Sequence, residues 1–218
     1  MSPTADTPSD DAVAVPDELR RRILDAAFGA FLELGYAGTS TLEIATRAKV
    51  SKRDLYARFG SKQALFKAGI VERTERMRVA MEVPAVTSRE GLAAALTLYG
   101  RTILSEVTHP HVLAVHRMAI AEAARSPELA AFLDLQGRGA NVVTLMDLLE
   151  HARGLGLIGG ADTAEMASQF GGLMWRDSFT RLLLGVIPPP SAEEIARRAD
   201  RAVVSFLKLF AAGDPPAD

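Results

Sequence analysis

The stretch STLEIATRAKVSKRDLYARFGSK, residues 40–62, predicts two short helices joined by a tight turn. Ser40 is a good N-cap for the first helix, and Glu43 lies three residues later, where it completes a capping box. Ser51 can cap the second helix, which is predicted over about residues 52–58. Two helices with a short turn between them can place the second helix in the major groove of DNA.

Apolar residues indicate which side of each helix is buried. Leu55 and Phe59 lie four residues apart, on one face of the second helix. Val50 is expected to pack between the two helices. The residues expected inside the first helix are Leu42, Ile44, Ala45 and Ala48.

Positive charge is concentrated in the same stretch. It contains six basic residues against Glu43 and Asp54, a net charge of +4. The whole chain has 25 basic and 27 acidic residues, a net charge of -2, so the remainder carries -6. Such a local excess in an acidic chain indicates a site for a polyanion. The basic residues are Arg47, Lys49, Lys52, Arg53, Arg58 and Lys62.

Length and composition exclude several classes of protein. The 218 residues suffice for one or two compact domains, and 48% of them are hydrophobic. The absence of cysteine excludes disulfides and thiolate chemistry. No apolar run is long enough to span a membrane, and no signal peptide opens the chain, so a cytoplasmic location is expected.

The rest of the chain predicts helices throughout, so the expected fold class is all-α. Residues 1–16 and 213–218 are expected to be disordered tails, because they hold too few apolar residues. Gly35 is expected to end the first helix, and a capping box of Thr87 and Glu90 to open a later one. The helices outside the 40–62 stretch are predicted at about 17–34, 62–82, 88–107, 110–124, 127–153, 163–185 and 192–212.

The last two predicted helices carry more apolar residues than one small core needs. Helix 192–212 has a broad apolar stripe, and helix 163–185 is apolar on more than one side. Two such helices suit a homodimer that pairs through a four-helix bundle. The residues expected at the dimer interface are Phe170, Phe179, Leu183, Ile195, Val203, Phe206 and Phe210.

The run SxxEIAxxAxVSxxxLYxxFxSKxxL, residues 40–65, resembles the DNA-binding signature of the TetR/AcrR family of bacterial transcriptional repressors. The resemblance implies an N-terminal three-helix helix-turn-helix domain, here residues 17–62. It also implies a larger C-terminal helical body for ligand binding and dimerisation, here residues 63–212 and including a linker helix. One position departs from the pattern, because the family usually has glycine in the turn where this chain has Lys49.

The positions that match the family pattern imply a set of DNA contacts for this chain. Thr41, Tyr56 and Lys62 are expected at phosphates, whereas Lys52 and Arg53 are candidates for base edges. The remaining members of the expected DNA-binding set are Ser40, Arg47, Ser51 and Arg58.

The resemblance also implies a small-molecule effector that releases the protein from DNA. Large or adaptable side chains in the C-terminal body could line a pocket for it, although residues of these types more often belong to a core. The candidates are Tyr99, His116, Met118, Met146, Phe170, Met174 and Trp175.

The sequence does not predict nucleotide binding, metal binding or catalysis. Residues 154–159 match GxGxxG, but they follow a predicted helix rather than a strand, so nucleotide binding is not expected. His109 and His111 flank a proline and lack further ligands, so no metal or cofactor is expected. No catalytic constellation appears, and an enzyme is not predicted.

These patterns predict a homodimeric, ligand-responsive repressor that binds a roughly palindromic DNA operator. Two alternatives remain open at this stage. The protein could be a helical regulator that activates transcription or has lost its ligand response, or a helical adaptor that does not bind DNA. An adaptor would not need positive charge concentrated in a capped helix-turn-helix.

Overall fold

The computed structural model describes residues 14–80, 86–159 and 162–212. The part of the chain that it describes contains no strand, which confirms the all-α prediction. None of its helices is long and apolar enough to cross a membrane. The helices are α1 (Ala14–Gly38), α2 (Thr41–Ala48), α3 (Lys52–Phe59), α4 (Lys62–Ala80), α5 (Arg89–Val107), α6 (Pro110–Glu122), α7 (Pro127–Leu133), α8 (Ala140–Gly154), α9 (Thr163–Trp175), α10 (Ser178–Leu183) and α11 (Ala192–Leu209).

The chain forms two compact units, Met1–Gly69 and Ile70–Asp218, so the boundary lies within α4. The sequence places the division at the start of that helix, after residue 62. The core of the N-terminal unit is built on four aromatic rings. Phe66 of α4 lies 5.9 Å from Phe28, 6.4 Å from Phe31 and 6.0 Å from Tyr36, measured between ring centroids.

The first helix begins earlier than the sequence predicts. Ala14–Pro16 belong to α1, so the prediction of a disordered tail is wrong for these three residues. The rest of that tail and residues 213–218 lie outside the described residues. Gly35 interrupts α1 at φ 76°, a left-handed conformation that glycine adopts without steric cost. The predicted helix end is therefore a break, after which helical hydrogen bonding resumes as far as Gly38.

The predicted serine caps form as expected. The Ser40 hydroxyl accepts a hydrogen bond from the Glu43 amide at 3.1 Å, and the Ser51 hydroxyl accepts one from the Asp54 amide at 3.0 Å. The predicted Thr87 cap is wrong, because α5 starts one residue later and Ser88 accepts a hydrogen bond from the Gly91 amide at 3.1 Å.

Lys49 ends α2 in a left-handed conformation, with φ 54° and ψ 46°. Its amide donates to the Thr46 carbonyl at 3.1 Å, and the Val50 amide donates to the Ala45 carbonyl at 3.0 Å. This pair of bonds is the Schellman motif, in which the position of Lys49 is usually occupied by glycine. The turn between α2 and α3 therefore has the geometry that the sequence predicts, with a strained lysine in place of glycine.

Replacing Lys49 with glycine is expected to raise the free energy of unfolding by about 1 kcal/mol, because glycine removes the Cβ strain at positive φ. Chemical denaturation or thermal unfolding measures the change. Lys49→Ala is the matched control, since it removes the charge and the long side chain but keeps Cβ, and it should not stabilise the fold. Equal stability of the glycine and alanine variants would contradict the assigned strain.

The C-terminal unit departs from the predicted helices at two places. The helix predicted over 127–153 contains a π-helical segment, Asp134–Gly139, between α7 and α8, where the Asn141 side-chain amide donates to the Gly137 carbonyl at 2.7 Å. The helix predicted over 163–185 is broken at Arg176, whose φ is 49° and ψ is -124°. Two helices, α9 and α10, therefore replace the single predicted one.

The core of the C-terminal unit lies among α5, α8, α9 and α11. Its centre is a chain of aromatic rings: the Phe170 ring lies 6.2 Å from Tyr99 and 5.3 Å from Phe206, and the Phe206 ring lies 4.9 Å from Phe210. Arg89 stabilises one end of this core by donating to the backbone carbonyls of Leu157 at 3.0 Å and Leu207 at 2.6 Å.

Candidate nucleic-acid interface

The helix-turn-helix pair buries one side of each helix and exposes the other. Leu55 is fully buried and Phe59 is 9% exposed, so α3 is held against the core of the N-terminal unit. Three cations of α3, Lys52, Arg53 and Arg58, are exposed. The structure therefore presents a basic helix surface of the kind that enters a DNA groove.

Two of the predicted phosphate contacts lie side by side. The Thr41 hydroxyl is 3.2 Å from the Tyr56 hydroxyl, although the residues belong to different helices. Thr41 is the first residue of α2, where backbone amides also point outward and favour an anion. Lys52 adds a positive charge at the same place, because its ammonium lies 5.6 Å from the centre of the Tyr56 ring. The arrangement is suited to a phosphate oxygen.

Lys62 has a structural role that the sequence does not predict. Its ammonium donates to the Tyr36 carbonyl at 2.7 Å and to the Thr39 carbonyl at 2.9 Å, and it lies 4.4 Å from the centre of the Tyr36 ring. These contacts join the start of α4 to the last turn of α1 and to Thr39, which lies between α1 and α2. At least two of its three donors are therefore used within the protein, and Lys62 is not among the DNA contacts that we propose.

Arg47 is also held within the protein. Its guanidinium forms ion pairs with Glu33 of α1 at 2.6 Å and with Glu43 of α2 at 2.7 Å. The hydrogen bond from Arg47 lowers the pKa of the Glu33 carboxyl, and the two carboxylates raise the pKa of Arg47. Arg47 therefore joins α1 to α2 and is not among the DNA contacts that we propose.

The two predicted serine contacts have hydroxyls that are used as helix caps. Besides capping α3, the Ser51 hydroxyl donates to the Asp54 carboxylate at 2.6 Å. The Ser40 hydroxyl caps α2. Both residues are exposed, so their positions at helix starts remain open to a ligand.

Leu42 was expected inside the first motif helix, and that prediction is wrong. Its side chain is 61% exposed, whereas Ile44, Ala45 and Ala48 are buried as predicted. Leu42 lies three residues before Ala45, at the edge of the face that Ile44, Ala45 and Ala48 share, and in the first turn of α2 it stays exposed to solvent.

Sequence reasoning missed two arginines of α1 that brace the motif. Arg22 Nε donates to the Ala48 carbonyl at 2.9 Å, at the end of α2. The Arg20 guanidinium lies 5.3 Å from the centre of the Phe59 ring in α3. The run of three arginines, residues 20–22, gave a signal for positive charge but not for these partners.

The predicted pocket residues fall into two groups. Tyr99, Met118, Phe170 and Met174 are buried, and the Tyr99 hydroxyl donates to the Asn141 carbonyl at 3.1 Å. Burial raises the pKa of this tyrosine. His116, Met146 and Trp175 are partly buried. The structure brings the rings of His116 and Trp175 to 5.5 Å and 5.0 Å from the Phe179 ring, which the sequence did not place in this group.

The residues expected at the dimer interface also fall into a buried group and a partly buried group. Phe170, Val203 and Phe206 are buried within the core of a single chain, so they have almost no surface left for a second copy. The partly buried members of the set are Phe179, Leu183, Ile195 and Phe210.

Comparisons with known proteins agree with this architecture. Residues 23–68 match the family model described as bacterial regulatory proteins, tetR family. Residues 94–212 match the model described as the AefR-like transcriptional repressor, C-terminal domain. The chain has no match among curated proteins.

Two solved structures illustrate the similarity. Flavonoid-responsive Regulator FrrA is 32% identical, with a TM-score of 0.76, and the match covers 92% of this chain and 100% of that one. A TetR transcriptional regulator from Agrobacterium tumefaciens is 30% identical, with a TM-score of 0.74, covering 88% of this chain and 94% of that one. The chain therefore belongs to the TetR family of DNA-binding transcriptional regulators, as the resemblance of residues 40–65 predicts.

Proposed function

We propose that the protein is a ligand-responsive repressor that binds a roughly palindromic operator as a homodimer. The observation that carries the DNA-binding part is the pairing of the Thr41 and Tyr56 hydroxyls beside the exposed cations of α3. Hydroxyls at a helix start fix the protein on the phosphate backbone, and cations at the start of the next helix reach base edges. Two copies related by a two-fold axis would place two α3 helices in successive major grooves.

The helix α4 supports the proposed ligand response. It runs without interruption from Lys62 to Ala80, and its first eight residues belong to the N-terminal unit. In the C-terminal unit, Arg73 of α4 donates to the Glu106 carboxylate of α5 at 2.8 Å. A ligand that favours one position of α5 would thereby favour one position of α4. The proposed release from DNA is a population shift between two such arrangements.

The effector is proposed to be an aromatic small molecule. The partly buried rings of His116, Trp175 and Phe179 form a cluster suited to stacking with a planar ligand. A relative with 32% identity is described as flavonoid-responsive, which agrees with this choice. Trp175 is the single tryptophan, so its fluorescence should change when a flavonoid is added. An unchanged spectrum and unchanged operator affinity would contradict a flavonoid effector.

Tyr56→Phe is expected to weaken binding to every duplex alike, by about 1 kcal/mol, because it removes one hydroxyl that contacts a phosphate. The measurement is a titration of operator and of unrelated DNA with both proteins. Thermal unfolding followed by circular dichroism serves as the control for folding. A variant that loses affinity for the operator alone would show that Tyr56 reads sequence instead.

Unlike Tyr56→Phe, Arg53→Ala is expected to change the preference among DNA sequences. Loss of a base-edge contact is expected to relax the preference at one base pair of each half-site by about tenfold. A set of operators with single base-pair changes measures this preference. Exposed Arg181, which lies in the C-terminal unit and pairs with Asp177, provides a control substitution with the same loss of charge. A uniform loss of affinity across all operators would remove Arg53 from the base-reading set.

A further inference from the structure

Lys49 occupies a backbone conformation that this chain otherwise assigns mainly to glycine. Among the described residues, φ is positive at six positions, and only Lys49 and Arg176 are not glycine. The glycines are Gly35, Gly60, Gly156 and Gly185. A non-glycine residue at positive φ is strained, and such residues cluster at functional sites.

The side chain of Lys49 is available for a ligand. It is exposed, and within the described part of the chain its ammonium makes no hydrogen bond or ion pair. The turn that it occupies leads directly to Ser51 and the start of α3. Arg22 brings a second cation to the same turn, because its Nε donates to the Ala48 carbonyl at 2.9 Å. The turn therefore combines strain, exposure and unneutralised positive charge.

From these observations we infer that Lys49 is a further DNA contact, whose ammonium binds a backbone phosphate next to the base pairs that α3 reads. Lysine suits this role because it is a point charge on a flexible stem. A phosphate contact adds affinity for every sequence and increases the dependence on salt. The inference rests on the proposed DNA-binding function, and it assigns a specific phosphate contact to Lys49, which the sequence gives only as part of the local positive charge.

A purely structural role is the competing explanation. A cation at the carbonyl end of α2 interacts favourably with the helix dipole, and this interaction acts on folding stability. A phosphate contact acts on DNA affinity and on its salt dependence. The structural explanation therefore predicts a change in folding stability, whereas the phosphate contact predicts a change in DNA affinity and its salt dependence.

The test compares the wild type with Lys49→Gln, which removes the charge but keeps Cβ and most of the side chain. Each protein is titrated with the same duplex at several salt concentrations. The expected result is a fivefold to tenfold loss of affinity at about 0.1 M salt, with a log–log salt slope that is shallower by about one. Lys208→Gln, which removes an exposed lysine from α11, should leave the slope unchanged.

Lys49→Gly is the second variant, and it also removes the charge. Glycine adopts the left-handed conformation of this turn without strain, so misfolding of the turn is not expected. This variant should lose the same affinity although its fold is more stable. An unchanged affinity and slope for both variants, with a wild type that binds normally, would overturn the inference and leave the proposed function intact. A wild type that binds no duplex would instead count against the proposed function itself.

Discussion

Lys62→Met is expected to lower the free energy of unfolding of the N-terminal unit by about 2–3 kcal/mol. The ammonium donates two hydrogen bonds to the carbonyls of Tyr36 and Thr39 and lies over the Tyr36 ring. Methionine keeps an apolar side chain of similar length, but it leaves both carbonyls without this partner. Hydrogen bonds from a charged donor are stronger than neutral ones, and the contact with the aromatic ring adds to them.

Hydrogen exchange of the amides near residues 36–40 measures this loss locally, and urea denaturation measures it globally. Lys52→Met is the matched control, because Lys52 is exposed on α3 of the same unit. The control should keep its stability and lose affinity for DNA. If Lys62→Met kept full stability while DNA binding fell, Lys62 would be a phosphate contact after all, as the sequence resemblance implies.

Gly69→Ala is expected to destabilise the N-terminal unit by about 2 kcal/mol, although alanine is the better helix former by about 1 kcal/mol. A Cβ added to Gly69 would lie 2.0 Å from Phe28 Cε2 and 2.7 Å from Phe28 Cζ. The Phe28 ring cannot easily move away, because it stacks on Phe66 at 5.9 Å and meets the edge of Phe31 at 5.8 Å. The steric term therefore exceeds the gain in helix propensity.

Gly29→Ala is the control for helix propensity without the clash. Gly29 lies in α1, and a Cβ there would meet nothing within 4 Å. This variant should be more stable than the wild type by up to about 1 kcal/mol. Thermal unfolding of both variants gives the comparison, and Phe28→Leu combined with Gly69→Ala should recover part of the loss. Stabilisation by both alanines would show that the Phe28 ring is not fixed.

Local signals in the sequence predict the fold well where one residue decides a helix end. Ser40 and Ser51 each cap the helix that they were expected to cap, because the capping hydroxyl accepts from a backbone amide only three residues away and needs no distant partner. The broken helix at Arg176 was missed for the opposite reason. Nothing in the local residue types indicates the positive φ of Arg176.

In the candidate site, too, features set by local residues could be predicted and contacts with distant residues could not. The exposed cations of α3 could be predicted, because helical periodicity separates them from Leu55 and Phe59. The roles of Lys62 and Arg47 could not be predicted, since their partners are backbone carbonyls or carboxylates on other elements. A sequence shows that a residue is basic, but the tertiary fold decides whether its charge is already satisfied.

The central claim, that this chain binds DNA specifically through α2 and α3, is tested most directly by titrating the purified protein with the DNA that flanks its own gene. The titration is repeated with shuffled DNA and at several salt concentrations. We predict tight binding of two copies to one palindromic site, with a steep salt dependence and weaker binding to the shuffled duplex. Equal, weak binding to both duplexes, followed by no enriched sequence in a selection from genomic fragments, would contradict the account.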